Sequence, residues 1–258
     1  HKMIKFDIAN NVGKITLNRP DRFHSFIRNM ALKLQDLLDE CAINDDVRSI
    51  LITAEGKAFC AGQDLSEVID PKSVGLTRTV QEHYNPIIKK IRELKKPVIA
   101  AVNGVAAGAG ASLALACDIV VASENASFIQ AFSKIGLIPD SGGTFFLPRI
   151  IGMQKASALM MTADSVSANE AEKIGMIYKV FPSEEFESEY IKLAEHLASM
   201  PTKGLALTKE LLNRSYVNDL YTQLDLEGKF QTEAGNTNDY QEGVQAFLEK
   251  RKPNFKGN

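Results

Sequence analysis

Short apolar runs typical of strands alternate along the chain with longer segments that carry apolar residues on one helical face. Residues 3 to 18 contain two alternating runs around the turn NNVG, a pattern that predicts a β-hairpin. The spacing of apolar residues from Ile27 to Cys41 predicts an amphipathic helix, and the apolar run that starts at Ser49 predicts a buried strand. Strands and helices are therefore expected to alternate from the start of the fold.

The same alternation continues through the middle of the chain. A loop is predicted over residues 55–68, then a helix that ends near Leu94, the strand PVIAAV, a glycine-rich helix start, and the strands DIVVAS and ASFIQ. Helical patterns dominate afterwards, interrupted by a short strand, IYKV, near Ile177. This order predicts an α/β core over residues 3–190 and a helical C-terminal part over residues 191–258.

Composition and charge narrow the functional classes. The 258 residues are 45% hydrophobic and 24% charged, as in globular proteins. Thirty Lys and Arg against thirty-two Asp and Glu give a net charge of −2, so we expect neither nucleic acid nor an anionic membrane as a partner. The uncharged stretch from Val98 to Cys117 has the length of a membrane span, but Asn103, Gly108 and Gly110 predict a strand, a turn and a helix instead.

Cysteine usage and motif content limit the chemistry further. Three cysteines, odd in number and without close pairing, indicate a reduced cytoplasmic setting. The sequence has no metal-ligand cluster, phosphate-binding loop or dinucleotide fingerprint. We therefore expect no metal site.

One carboxylate, Asp140, stands between a proline and a Ser-Gly-Gly turn in the otherwise apolar segment IGLIPDSGGTFFLPR. A charge in apolar surroundings must be paired or neutralised, so this segment is predicted to line a site. The alternative is that Asp140 caps the helix that follows, a role that Ser141 could also fill.

Two stretches of small residues, FCAGQDL and NGVAAGAGASLALACD, each follow a strand. Small side chains leave backbone N–H groups accessible, and Ala109 at the start of a helix would carry an N–H group without an acceptor inside the helix. Two such groups would form an oxyanion hole. Close packing of a strand against a helix would also explain either stretch alone.

Six segments, in order over nearly the whole chain, resemble the enoyl-CoA hydratase/isomerase family, the crotonases. They are NRPDRFHSF, KAFCAGQDL, PVIAAVNGVAAGAGASLALACDIVVAS, GLIPDSGGTFFLPR, ADSVSANEAEKIGMIYKV and FLEKRKPNF. The resemblance implies an α/β fold, a crotonase-like spiral of ββα units with a helical C-terminal trimerisation region, assembled as a homotrimer or a dimer of trimers. It also implies an acyl-CoA substrate and no cofactor beyond the coenzyme A moiety of that substrate.

The resemblance implies specific catalytic positions. The thioester carbonyl would lie between the backbone N–H groups of Gln63 and Ala109, where side-chain identity matters little. The two glutamates of family hydratases match Ser112 and Phe132, so both carboxylates are missing here. Asp140 is the one carboxylate left at a matching position, which implies the general base of an isomerase, while Phe132 would exclude water.

A site for the nucleotide end of coenzyme A is implied as well. The residues that match it are Arg22, Phe23, Ser25, Ala61, Gln63, Asp64 and Leu65, with Phe247 and Lys250 offered by a neighbouring subunit. The sequence alone supports two roles for Arg22 equally well: binding a phosphate of coenzyme A, or facing solvent without a ligand. The basic C-terminal segment EKRKPNFK suits phosphates but is also typical of a solvated terminus.

The resemblance, with Asp140 as the one carboxylate at a matching position, implies an acyl-CoA isomerase that acts on a ring epoxide, such as 1,2-epoxyphenylacetyl-CoA, or on a 3-enoyl-CoA. The IPDSGG form is most similar to the ring-epoxide branch of the family. The alternatives are an enoyl-CoA hydratase, a dehalogenase with Asp140 as nucleophile, and a non-catalytic member that binds acyl-CoA or RNA. A dehalogenase of this family pairs its aspartate with a histidine base, and none of the four histidines matches that role.

Overall fold

The computed structural model describes residues 2–258 as two β-sheets with helices around them. The strands are Ile4–Ala9 (β1), Val12–Leu17 (β2), Ser49–Ala54 (β3), Ala58–Cys60 (β4), Val98–Val102 (β5), Val105–Ala107 (β6), Ile119–Ser123 (β7), Ser127–Ile129 (β8), Ser165–Ser167 (β9) and Lys179–Phe181 (β10).

The α-helices of the described residues fall into short helices between strands and longer helices at the C-terminal end. They are Arg28–Ile43 (α1), Leu65–Val68 (α2), Leu76–Thr79 (α3), Asn85–Glu93 (α4), Ala109–Leu115 (α5), Gly143–Ile151 (α6), Met153–Thr162 (α7), Ala168–Lys173 (α8), Phe186–Ala198 (α9), Thr202–Ser215 (α10), Leu220–Gly235 (α11) and Asn238–Leu248 (α12). Single 3₁₀ segments occupy Pro20–Arg22 and Ala131–Ile135, and a π-helical turn occupies Val80–Tyr84.

The strand order shows how the chain winds. The larger sheet has the order β1-β2-β3-β5-β7-β10 and the smaller one the order β4-β6-β8-β9. Only β1 with β2 and β8 with β9 pair antiparallel among the strand pairs of the described residues. From β3 to β8 successive strands alternate between the two sheets, with helices after each pair. This arrangement confirms the predicted α/β spiral of ββα units.

Both faces of the larger sheet are covered by apolar side chains. In β3, Ile50 and Ile52 join the main core, whereas Leu51 joins a smaller cluster on the opposite face with Tyr190 and Ala194 of α9. This alternation follows from the two-residue period of a strand. A parallel strand covered on both faces needs a continuous apolar run, and SILITA supplies it.

Most of the predicted elements are confirmed, and the errors concern short strands. The hairpin, the helix after Ile27 and the strand at Ser49 lie where expected. The predicted loop over residues 55–68 is wrong in part because it contains β4 and α2, and the short strand predicted near Ile177 begins at Lys179. In the smaller sheet β8 confirms the predicted strand ASFIQ, whereas β4, β6 and β9 were not predicted, because three-residue strands are too short to show a hydrophobic period.

The predicted boundary between residues 190 and 191 falls inside α9, which packs on the larger sheet. Helix α10 is also tied to the core, because Nζ of the buried Lys209 lies 2.9 Å from a carboxylate oxygen of Asp118. The oligomerisation role of the C-terminal helices stays a prediction. No helix within residues 2–258 is long and apolar enough to cross a membrane.

Helix α5 approaches β4 at Gly110. A Cβ atom at this position would lie 2.4 Å from the carbonyl oxygen of Cys60, closer than non-bonded atoms can approach. The three nearest atoms are two backbone atoms and the Cβ atom of Cys60, and these cannot move aside as the end of a flexible side chain would. The absence of a side chain at Gly110 therefore sets the distance between the two elements.

We expect Gly110→Ala to lower the free energy of unfolding by about 1–3 kcal/mol, the usual cost of overpacking a well-packed core. Urea denaturation of the variant and the wild type measures the difference. The control is Gly228→Ala in α11, where a Cβ atom would meet nothing within 4 Å. Alanine favours a helix, so the control should be neutral or stabilising. Equal stability of Gly110→Ala and the wild type would contradict the packing argument.

Candidate active site

Residues 60–63 and 107–110 lie against each other where β4, β6 and α5 meet. A Cβ atom on Gly62 would lie 3.4 Å from the backbone nitrogen of Ala109. Gly62 also has a φ of +91°, a backbone conformation that favours glycine. The fold thus brings together the two segments that contain the predicted oxyanion donors, Gln63 and Ala109.

The backbone pairing around Gln63 leaves its N–H group available. The N–H of Phe26 donates to the carbonyl of Gly62 at 2.7 Å, and the N–H of Asp64 donates to the carbonyl of Phe26 at 2.9 Å. In such a parallel bridge the N–H of the residue between them points to the opposite side. Ala109 is the first residue of α5, so its N–H has no acceptor inside the helix. Two adjacent donors of this kind can polarise a carbonyl.

Asp140 lies in the turn before α6, half-buried. The hydroxyl of Ser141 donates to Oδ1 of Asp140 at 3.0 Å. The cap residue of α6 is Gly142, no side chain caps this helix, and the N–H of Gly143 donates to the backbone carbonyl of Asp140 at 2.9 Å. The alternative that Asp140 or Ser141 caps the helix with its side chain is therefore wrong.

The electrostatic state of Asp140 follows from its surroundings. Burial raises the pKa of the carboxyl above its ordinary value, and the hydrogen bond from Ser141 opposes this effect only in part. Among residues 2–258 no lysine, arginine or histidine forms an ion pair with Asp140. The carboxyl is therefore a stronger base than a solvated aspartate.

Ser112 and Phe132 occupy the positions that the family resemblance associates with hydratase glutamates. Ser112 is fully buried, and its hydroxyl donates to Oε1 of Gln130 at 3.5 Å. Phe132 is 7% exposed, and a Cβ atom on Gly108 would lie 3.8 Å from the tip of its ring. The apolar ring of Phe132 thus lies at the start of α5, and Ser112 forms a neutral polar pair with Gln130.

Tyr84 is a site residue that the sequence did not reveal. It is 2% exposed, and its hydroxyl donates to the side-chain Oε1 of Gln63 at 2.5 Å. The Nε2 group of Gln63 in turn donates to Glu67 at 3.2 Å. In the sequence, Tyr84 shares a helical face with Ile87 and Ile91, so its spacing indicates only a core position.

A cavity of about 130 Å³ opens beside Gln63. Its lining includes residues of the segment between α2 and α3. The lining residues are Arg28, Gln63, Glu67, Val68, Asp70, Lys72, Ser73, Val74 and Thr79.

Some residues predicted to bind coenzyme A form one exposed surface next to the paired segments. The N–H of Ala61 donates to the carbonyl of Phe23 at 3.0 Å, which joins the two parts of this surface. Phe23 is 62% exposed and Leu65 is 52% exposed, and Arg22 is also exposed. These side chains are free to meet a ligand at the surface.

Ser25 and Asp64 are buried and already bonded within the protein. Oδ1 of Asp64 accepts hydrogen bonds from the N–H and the hydroxyl of Ser66, at 2.9 and 2.6 Å. A guanidinium nitrogen of Arg19 lies 2.8 Å from Oδ2 of Asp64 and 3.3 Å from the hydroxyl of Ser25. Burial opposes ionisation of Asp64, but the bonds from Ser66 and Arg19 lower its pKa overall. These two side chains hold the surface together.

Phe247 and Lys250 lie at the C-terminal end of the chain. Phe247 is in α12 and is 82% exposed, and the exposed Lys250 follows that helix. Their presentation to the nucleotide of a neighbouring subunit stays a prediction.

Two further titratable groups near the paired segments are structural. Nδ1 of the buried His24 accepts the N–H of Arg19 at 2.9 Å, so Nε2 carries the proton and donates to the carbonyl of Glu55 at 2.6 Å. Burial lowers the pKa of His24, which favours this neutral form. Burial raises the pKa of the Cys60 thiol to about 12, so a thiolate nucleophile is disfavoured at this position.

Comparison with known proteins agrees with the fold. The model of the enoyl-CoA hydratase/isomerase family matches residues 7–258. The chain therefore belongs to the enoyl-CoA hydratase/isomerase family, a family of enzymes.

Individual relatives include both isomerases and hydratases. The chain is 47% identical over 253 residues to the 1,2-epoxyphenylacetyl-CoA isomerase of Escherichia coli K12, covering 97% of each protein. It is 41% identical to a Rhodobacter capsulatus protein named "probable enoyl-CoA hydratase", covering 98% of each. A crystal structure of an enoyl-CoA hydratase from Bacillus anthracis superimposes with a TM-score of 0.93 at 36% identity, covering 100% of both chains.

The raised pKa of Asp140 predicts a pH-dependent cost in stability. A carboxyl with a higher pKa in the folded state stabilises the fold below its unfolded pKa, and this contribution is lost as pH rises through the folded pKa. Asp140→Asn removes the ionisation but keeps the size and an acceptor for Ser141. We therefore expect the variant to unfold at a higher urea concentration than the wild type at pH 7. The advantage should shrink as the pH approaches 4. A variant less stable than the wild type at pH 7 would contradict this electrostatic assignment.

Proposed function

We propose that this protein is an acyl-CoA isomerase with Asp140 as its single general base. The N–H groups of Gln63 and Ala109 hold the thioester oxygen and stabilise the enolate that forms when a proton leaves the adjacent carbon. Asp140 takes the proton from one carbon of the substrate and returns it to another.

The observation that carries this proposal is the isolation of the half-buried carboxyl of Asp140. It has a raised pKa and no cationic partner among the described residues. Ser112 and Phe132 stand at the positions that the family resemblance gives to hydratase glutamates. A reaction that only moves a proton needs one carboxylate, whereas hydration must also activate water. The site therefore suits isomerisation.

The proposed substrate is a coenzyme A thioester with a ring epoxide, such as 1,2-epoxyphenylacetyl-CoA, or a linear 3-enoyl-CoA. The similarity to the Escherichia coli isomerase of that name supports the ring epoxide. The apolar ring of Phe132 beside Gly108 supports an apolar acyl group. If the substrate is 1,2-epoxyphenylacetyl-CoA, the proposed pathway is phenylacetate breakdown.

The nucleotide end of the substrate is proposed to lie on the surface formed by Arg22, Phe23, Ala61 and Leu65. Their exposure and the bond between Ala61 and Phe23 support this placement. Phe247 and Lys250 would complete the site from a neighbouring subunit of a trimer or of a dimer of trimers. The buried Ser25 and Asp64 would contribute by fixing this surface.

Hydration is the second candidate function. It is favoured by the similarity to the Rhodobacter capsulatus protein named as a hydratase. The neutral pair of Ser112 and Gln130 offers no carboxylate that could activate water. Dehalogenation has weaker support, because none of the four histidines matches the base of the family dehalogenases. His24, which is buried near the paired segments, has both ring nitrogens in hydrogen bonds to the backbone.

Asp140→Asn should reduce kcat for isomerisation of a 3-enoyl-CoA by about 10²–10⁴-fold, the usual contribution of a general base. Asparagine keeps the size of the side chain but cannot take a proton. The measurement is kcat of both proteins, together with the Kd of the saturated analogue hexanoyl-CoA, which should stay unchanged.

The matched control is Asp164→Asn, which removes an exposed aspartate in the turn before β9 and should leave kcat unchanged. If Asp140→Asn binds hexanoyl-CoA normally and retains more than about a tenth of kcat, Asp140 is not the base.

A further inference from the structure

The side chain of Gln63 is held at both ends. Its Oε1 accepts the hydroxyl of Tyr84 at 2.5 Å, and its Nε2 donates to Oε1 of Glu67 at 3.2 Å and to the backbone carbonyl of Asp64 at 3.3 Å. The carboxylate of Glu67 is itself fixed, because the N–H of Arg28 donates to its two oxygens at 3.1 and 2.9 Å. A residue expected to act only through its backbone N–H thus has a fully restrained side chain.

These contacts of the Gln63 side chain matter because Gly62 does little to restrain the peptide that joins it to Gln63. A glycine has no side chain to limit rotation of the peptide that joins it to Gln63. The orientation of the Gln63 N–H therefore depends on contacts around that peptide. One is the hydrogen bond from Phe26 to the carbonyl of Gly62, and the others are the bonds made by the Gln63 side chain.

The packing and the burial of Tyr84 favour its hydroxyl as a hydrogen-bond donor to Gln63. Its ring packs edge-on against Phe26, with ring centroids 6.1 Å apart. The tyrosine therefore contacts Gln63 and also Phe26, whose N–H binds the carbonyl of Gly62. Burial is the main cause that raises the pKa of Tyr84 well above its usual range. The hydroxyl therefore keeps its proton at neutral pH.

The backbone around Tyr84 also departs from a regular helix. Val80–Tyr84 form a π-helical turn just before α4. Such turns are rare and occur often at functional sites, because they rotate one side chain out of the normal helical register. Here the turn ends at the residue whose hydroxyl reaches Gln63.

We propose that Tyr84 is a positioning residue of the oxyanion site: its hydroxyl holds the Gln63 side chain so that the Gln63 N–H stays aimed at the thioester oxygen. The inference rests on the proposed function, which assigns that N–H to the oxyanion site. It adds a role for the Gln63 side chain. The family resemblance involves only the backbone N–H of this residue and gives its side chain no role.

The expected effect lies in kcat, because a donor aimed at the thioester oxygen bonds more strongly as charge develops there. Tyr84→Phe keeps the ring and its packing and removes only the hydroxyl. We expect kcat for a 3-enoyl-CoA to fall about tenfold, less than the hundredfold or more that follows complete loss of such a donor. The Kd for hexanoyl-CoA should change less than about twofold, since ground-state binding uses mainly other contacts.

Infrared difference spectroscopy of bound hexanoyl-CoA, with ¹³C in the thioester carbonyl, reads the oxyanion site without turnover. A weaker hydrogen bond raises the carbonyl stretching frequency, so Tyr84→Phe should shift the band toward its position in water. The matched control is Tyr190→Phe, a buried tyrosine of α9 on the other side of the larger sheet. The control should change neither kcat nor the carbonyl band.

A double-mutant cycle tests whether Tyr84 acts through Gln63. Gln63→Met keeps the length of the side chain and removes both polar atoms. If the inference holds, Tyr84→Phe should have little further effect on kcat in the Gln63→Met protein, because the bond it removes is already absent. Additive effects would show that Tyr84 acts by another route and would overturn the proposal.

These outcomes separate the inference from the proposed function. Unchanged kcat and an unchanged carbonyl band in Tyr84→Phe would overturn the inference, and so would a raised KM with normal kcat. Loss of activity in Asp140→Asn would support the proposed function, whatever the result for Tyr84→Phe. If Asp140→Asn stays active, the proposed base is wrong, yet the carbonyl band still decides the role of Tyr84.

Discussion

The close approach of residues 60–63 to residues 107–110 is the constraint on which the site depends. A Cβ atom at Gly110 would lie 2.4 Å from the carbonyl oxygen of Cys60, and one at Gly62 would lie 3.4 Å from the nitrogen of Ala109. These glycines let consecutive turns of the ββα spiral meet backbone to backbone. The meeting point leaves two N–H groups that regular structure does not satisfy, and an oxyanion site requires donors of that kind.

A second feature is the placement of a carboxyl where the protein stabilises its charge poorly. Asp140 has one hydrogen bond from Ser141 and a pKa raised by burial, whereas Asp64 has a pKa lowered by bonds from Ser66 and Arg19 despite its burial. The two aspartates show how environment distinguishes a structural carboxylate from the proposed base. A base that is costly to ionise reduces stability, which is a common feature of active sites.

The longer elements could be predicted from the sequence, because the apolar spacing from Ile27 and the run at Ser49 extend over enough residues to show a period. Of the three-residue strands in the smaller sheet, only β8 was predicted, because such short strands show no period. The segments around Gln63, Ala109 and Asp140 could be recognised from their small residues and from one carboxylate in apolar surroundings, and the family resemblance then gave the individual positions. Tyr84 was missed because its hydroxyl reaches Gln63 across 21 positions of sequence, and only the folded chain brings them together.

The central claim is that one carboxylate in an apolar site moves a proton without adding water. Product analysis tests it most directly: the wild-type protein is incubated with a 3-enoyl-CoA in H₂¹⁸O, and the coenzyme A thioesters are followed over time by chromatography and mass spectrometry. Isomerisation predicts a 2-enoyl-CoA of unchanged formula that accumulates without ¹⁸O. A 3-hydroxyacyl-CoA that carries ¹⁸O and forms as fast as the 2-enoyl-CoA would contradict the claim.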